Sequence, residues 1–252
     1  MRYFEAELAR ALKSRGTFFA MVFIFSLFVI CVWQFYGSNL FYKGYALYFF
    51  FLLYSPLTVF APIIAILPFA GSYLHDKENG FLWGVINRSN IQRYWRTKFW
   101  SVGITGALAL MIPLIILLIV NLAIFGNHHA SFGDLTGPFV WLYNTHQDFW
   151  LILITILHSG LFGFIYANLG LVVSLYVPKS YAVVGFPFLI YLVPAFVFPF
   201  LGLSQFEPSA TFIFYANSGS TYTSVYGELI LVLILVMLAG YWRIRRPEKW
   251  LL

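Results

Sequence analysis

Only 10% of the 252 residues are charged and 61% are hydrophobic, whereas an average soluble domain carries roughly 25% charged residues. Such a chain cannot clothe a water-facing surface, which excludes a soluble globular domain, a disordered chain and a disulfide-stapled secreted fold. The formal net charge is +6 and the mean hydropathy is +0.82, and the one cysteine, Cys31, lies in an apolar run without a partner.

In chain order, residues 1–16 open on a helical pattern. Phe4, Leu8, Ala11 and Leu12 share one side, and Glu5, Glu7, Arg10 and Lys13 lie elsewhere on the wheel. This predicts an amphipathic helix lying at a membrane interface. Next come charge-free runs longer than the roughly 20 residues a helix needs to cross a bilayer. Together with one run holding only Glu228, they place six spans at about 17–36, 46–73, 99–125, 149–176, 181–201 and 225–242. The first run is too long and too rich in Phe for a signal peptide and reads as a retained span. The expected class is all-α: one polytopic membrane domain over 1–252, with spans within 17–242 and a basic tail at 243–252.

The basic residues orient it. Of 15, all but Lys43 fall in the N-terminal arm, the 75–98 connection, Lys179 and the tail. The positive-inside rule then puts both termini in the cytoplasm. Residues 208–227 are also uncharged, but Ser209, Thr211, Asn217, Ser218, Ser220, Thr221, Thr223 and Ser224 are too polar to face lipid. A seventh span there would also move the tail outside. The short piece Ala210–Ala216 is expected at most to dip into the membrane, provided protein covers its backbone. Trp33, Trp95, Trp100, Trp141, Trp150 and Trp242 sit near span ends, as interfacial anchors do.

The segment His75–Lys98 (HDKENGFLWGVINRSNIQRYWRTK) is the most informative. A mere connection has no need of Phe81, Leu82, Trp83, Val85 and Ile86 beside mixed charge. Exposed apolar side chains in that setting suit either a protein-docking helix or a second helix resting on lipid. Pro56, Pro62 and Pro68 in the second span and Pro187, Pro194 and Pro199 in the fifth each remove a backbone donor and kink a helix. Ser159, Gly163 and Ala167, and likewise Gly103 and Ala107, repeat every four residues and form a packing seam within the subunit. His158 is expected to hydrogen-bond between helices. His128, His129, His146, Asp134 and Asp148 match no closed metal motif, so no metal site is expected. Ser89 and Ser101 lack an activating histidine nearby, and no catalytic residues are expected.

Six spans, cytoplasmic termini and an amphipathic start are thus joined to Glu78-x-Gly80, an apolar turn, Arg88, Tyr94 and Lys98. Together they resemble the permeases of type-2 ABC exporters. The resemblance implies that Glu78, Gly80, Phe81, Leu82, Trp83 and Arg88 form a coupling segment docking on a cytoplasmic ABC ATPase. It implies that residues 1–16 are a connecting helix and that Ala210–Ala216 is an external re-entrant element. It also implies that the second and fifth spans line a substrate path, with Phe60, Phe69, Phe186, Phe196 and Phe198 as lining candidates. No G-x-x-x-x-G-K-[ST] loop occurs, so ATP and Mg would belong to a separate ATPase, and this chain is not expected to be an enzyme or to carry a cofactor. A second permease copy or a homologous permease completes the pathway. The implied location is a bacterial plasma membrane, with lipid but no nucleic acid as a further partner. The implied cargo is an antimicrobial or amphipathic peptide or a hydrophobic drug. Two competitors stand beside this reading. One is an ion-coupled carrier, disfavoured by the lack of a mid-membrane carboxylate. The other is a non-transporting scaffold or immunity subunit.

Overall fold

A computed structural model describes residues 2–34, 44–88, 90–129, 135–215, 217 and 219–245. Among these the regular structure is entirely helical. The expected N-terminal helix is α1 (Arg2–Leu12), and α2 (Arg15–Gln34) follows after a two-residue break. Thr17, Ala20, Ile24, Leu27 and Cys31 are buried along one stripe of α2 at helical spacing, while Phe18, Phe19, Val29 and Trp33 face outward.

The expected single span at 46–73 is instead broken. Helices α3 (Ala46–Tyr54) and α4 (Leu57–Ile66) meet at an 80° bend. The cause is local: Ser55 precedes Pro56 and is extended (φ −79°, ψ 153°), because a following proline ring excludes the α region. The Ser55 hydroxyl oxygen then accepts a hydrogen bond from the Leu57 amide at 3.3 Å. Two short helices follow, α5 (Ser72–Glu78) and α6 (Phe81–Arg88).

Helix α7 (Ile91–Phe125) begins within the basic stretch, well before the expected span start at 99, because Asn90 caps it. Its side-chain oxygen accepts from the Gln92 amide at 2.9 Å, satisfying a donor that a helix start leaves orphaned. Then come α8 (Val140–Asn144), α9 (Asp148–Tyr176), α10 (Ser180–Phe200) and α11 (Tyr222–Ile244). α10 continues as one helix through Pro187, Pro194 and Pro199. Five helices (α2, α7, α9, α10 and α11) are long and apolar enough to cross a membrane.

The antiparallel pair α7 and α9 forms the centre. A Cβ on Gly106 would lie 2.4 Å from the Ala167 Cβ and 2.7 Å from the Gly163 carbonyl oxygen, so the two backbones touch. The expected small-residue seam is therefore internal, and its α7 side runs through Gly103, Gly106 and Ala107, whose Cα would lie 3.1 Å from a Cβ on Gly163. Around this pair lie α2, α4, α10 and α11. α10 buries only Val183, Pro187 and Tyr191.

The molecule has two ends. At one, Ala11, Tyr73, Leu82, Tyr94, Leu175, Val183 and Ile244 form one cluster. At the other, the Tyr45 hydroxyl donates to Asn127 Oδ1 at 2.7 Å, and His129 meets Asp148 at 3.0 Å. Residues 208–215 also lie near this second end, where Thr211, Phe212, Ile213, Phe214 and Tyr215 are buried. Their carbonyls are served by protein: His158 Nε2 donates to Thr211 at 2.7 Å, and the Ser220 hydroxyl to Phe214 at 2.8 Å. His158 is thus a hydrogen-bonding residue between α9 and this segment. Ala216 lies outside the described residues.

Candidate functional site

The charged end carries the densest chemistry. α1 does not bury its apolar stripe as a unit. Glu7 and Ala11 are buried, whereas Phe4 and Leu8 are half-exposed and Leu12 is exposed. Glu5 and Lys13 are exposed, so the face that α1 turns into the protein is mixed: Glu7 and Ala11 are buried and Arg10 is half-buried beside them. The physical reason stands on α7 and α5. Asn90 starts α7 in a register that points Tyr94 and Lys98, one turn apart, inward, and α5 turns Asp76 towards the same point.

Four charges meet there. Lys98 Nζ lies 2.7 Å from Asp76 Oδ2 and pairs with the Glu7 carboxylate. Arg10 donates to Asp76 Oδ1 at 2.7 Å and lies 3.6 Å from Glu7. The Tyr94 hydroxyl donates to Asp76 Oδ2 at 2.9 Å. Two acids balance two bases, so the cluster is neutral, as burial requires. Burial alone would raise the Asp76 pKa. The Lys98 ammonium, with hydrogen bonds from Arg10 and Tyr94, outweighs it and holds that carboxyl below its ordinary value. The same surroundings raise the Arg10 guanidinium against its own desolvation. Burial also pushes the Tyr3 phenol up to about 12.

The cluster reaches the exposed helix α6 through Arg10. Its guanidinium carbon stands 5.6 Å from the Phe69 ring centroid and 5.7 Å from that of Phe81, and Lys98 Nζ lies 4.7 Å from Phe69. Gly80 sets the turn between α5 and α6 at φ +70°, a region that side-chain-bearing residues rarely adopt. α6 then buries Leu82 and exposes Phe81 and Trp83, at 46% and 48%. Glu78 is exposed at the end of α5. A cavity of about 650 Å3 opens between α1 and the α5–α6 turn, floored by Glu7, Arg10 and Asp76 and edged by Phe81.

Of the expected coupling residues, Glu78, Gly80, Phe81 and Trp83 therefore lie exposed along the α5–α6 turn and α6, while Leu82 faces inward. Arg88 closes α6, and its side chain lies outside the described residues. The lining candidates are not brought together within this chain. Phe60 meets Phe23 edge to face at 5.4 Å, Phe69 is buried beneath Lys98 and Arg10, Phe186 and Phe196 point outward, and Phe198 is half-buried. Of the prolines, Pro56 marks the sharp bend, Pro62 lies inside α4, and the Pro68 carbonyl accepts from Ser14 at 2.6 Å.

At the other end His129 and His146 have ring centroids 4.1 Å apart. No group of three or more metal-ligating side chains gathers among the described residues. Asp134 lies outside them. Sequence reasoning missed the ion quartet. Its signal was the Tyr94–Lys98 spacing, which puts a tyrosine and a lysine on one helix face at a membrane boundary. No protein-family model, curated protein or solved structure matches the chain.

Proposed function

We propose that this chain is the permease subunit of an ATP-driven type-2 ABC exporter in a plasma membrane, docking a separate cytoplasmic ATPase through α6. The observation that carries the reading is the rigid connection behind α6. Exposed Phe81, on the same helix as exposed Trp83, meets Arg10, which belongs to the ion quartet that joins α1, α5 and α7. A force applied at α6 passes through this quartet into the central α7–α9 pair without crossing a flexible loop. A helix that merely rested on lipid has no use for such a connection.

The same proposal takes α3 and α4 as one broken crossing, giving six crossings and both termini in the cytoplasm. This is supported by the contacts that flank it: Tyr45 meets Asn127 at one end of the bundle, and Asp76 meets Arg10 at the other. The cargo is taken as an amphipathic peptide or hydrophobic drug, moved between this chain and a second permease. Outward-facing Phe186 and Phe196 on α10 are suited to such an intersubunit path.

The test is affinity purification in mild detergent with the combined variant Phe81→Ser and Trp83→Ser. A phosphate-loop ATPase is expected to co-purify with the unaltered chain and to be lost from the variant, with thermal stability unchanged. No ATPase with the unaltered chain, or equal retention by the variant, overturns the reading.

A further inference from the structure

A second feature at the charged end lies away from the α6 surface. α7 and α11 diverge where α7 begins and α11 ends, leaving a lateral groove of about 660 Å3. That volume falls within the range of roughly 300–1,000 Å3 typical of small-ligand pockets. Its base is aromatic: Trp95 and Phe99 have ring centroids 6.5 Å apart, and the Phe99–Trp100 pair stands edge to face at 6.1 Å. Gly240 permits this base, since a Cβ there would lie 2.6 Å from the Trp95 ring. Met237 and Leu238 form an apolar wall towards the membrane interior. Arg96 and Arg245 stand at the rim, and the Arg245 guanidinium lies 4.3 Å from the Tyr241 ring centroid, held in place by the ring face.

We infer that this groove binds one anionic phospholipid from the leaflet on the side of the termini. The headgroup phosphate would sit between Arg96 and Arg245, and the acyl chains would run down Met237 and Leu238. The argument is charge complementarity joined to depth. Among the described residues the lining contains two guanidiniums and no carboxylate, so an apolar helix from a partner would leave both cations without compensation. A phosphodiester accepts paired N–H donors from arginine. A basic pocket between membrane helices near the headgroups is the setting that captures anionic lipid. The ammonium of a zwitterionic headgroup would meet like charge here, which sets the selectivity. The inference needs the chain to lie in a bilayer but not an ATPase partner, so it stands or falls separately from the coupling role of α6.

The experiment is native mass spectrometry of the delipidated full chain, titrated with dioleoyl phosphatidylglycerol or dioleoyl phosphatidylcholine. The expected result is one tightly held phosphatidylglycerol per chain, bound roughly tenfold better than phosphatidylcholine. The preference is expected to vanish in the combined variant Arg96→Gln and Arg245→Gln. Both side chains are exposed, and size-exclusion chromatography checks that the variant remains folded. A control pair, Arg93→Gln and Lys179→Gln, alters charge at the same end outside the groove and is expected to leave the preference intact. Equal binding of the two lipids overturns the inference. So does an unchanged preference in the groove variant, an equal loss in the control pair, or a stable dimer of the chain that excludes lipid from the groove.

Discussion

Lys98 Nζ lies 2.7 Å from Asp76 Oδ2, with the two side chains 0% and 1% exposed. A pair so buried contributes less to net stability than its short distance suggests, because both ions have lost their water. Its consequence is positional. Each charge tolerates burial only while its partners are in place, so the pair fixes where α5 and α7 stand, and Glu7 adds α1 to the same constraint. Removing one member is therefore far worse than removing a balanced pair. Lys98→Met is expected to destabilise the protein by about 3–5 kcal/mol. Lys98→Met combined with Glu7→Gln, which leaves Asp76 paired with Arg10, is expected to recover part of that loss. Thermal unfolding in detergent measures both, and additive losses would disprove the coupling.

Acidification probes the same carboxylate. Burial works to raise the Asp76 pKa, but Lys98, Arg10 and Tyr94 together lower it beneath the usual 3.8. A group whose pKa is lower when folded contributes stability that is fully present above its unfolded value. That stability is lost as pH falls through the folded value. The melting temperature of the unaltered protein is expected to have its Asp76-dependent part intact at pH 5–7, losing it below about pH 4. Asp76→Asn is expected to lower stability at pH 6 and to flatten the acid limb. Parallel acid limbs in the two proteins would show that Asp76 does not supply it.

Helix α6 has two faces with opposite expected behaviour. Leu82, 3% exposed, packs into the cluster containing Ala11, Tyr94 and Ile244, so Leu82→Ala is expected to cost about 2–5 kcal/mol of stability. Trp83→Ser removes an exposed side chain and is expected to change stability by no more than about 0.5 kcal/mol. Fluorescence-detected thermal unfolding compares them. Equal losses would mean that Trp83 is held by the fold and is not presented to a partner.

The central seam has no slack. Gly106→Val places a branched side chain against Ala167 and the Gly163 carbonyl, and overpacking of this kind costs typically 1–3 kcal/mol. The closeness of backbone to backbone puts the expectation at the upper end. Size-exclusion profiles of the detergent-extracted variant, compared with Ala123→Val on an exposed position of α7, report the difference. An equal tolerance of the two would contradict close α7–α9 contact.

His158→Phe preserves ring volume but removes the donor that serves the Thr211 carbonyl. An unpaired buried carbonyl costs about 1–3 kcal/mol. The loss is expected to be local, seen as faster hydrogen exchange across 208–215 with little change in α7. Uniform acceleration over the whole chain would point instead to a global role.

The linear order of residues carried the class of this protein by itself. A bilayer demands long charge-free helices because it offers backbone groups no other partner, and runs such as 149–176 and 181–201 are long enough to register that demand in one dimension. The pre-proline Ser55 foreshadowed a kink, and Gly80 a turn, because each acts on its immediate neighbours. The rest was a matter of tertiary contact. Glu7 reads as a solvated residue on an amphipathic wheel until Lys98 and Asp76, distant in the chain, are seen to meet it; only their mutual neutralisation makes its burial affordable. The 80° bend gave α3–α4 a broken course that a hydropathy run cannot express, since hydropathy records depth and not direction. The grouping of Arg96 with Arg245 depended likewise on which faces α7 and α11 turn towards each other. Sequence determined that the scarce basic residues gather at one end, and folding decided which of them are neutralised inside and which remain at the surface.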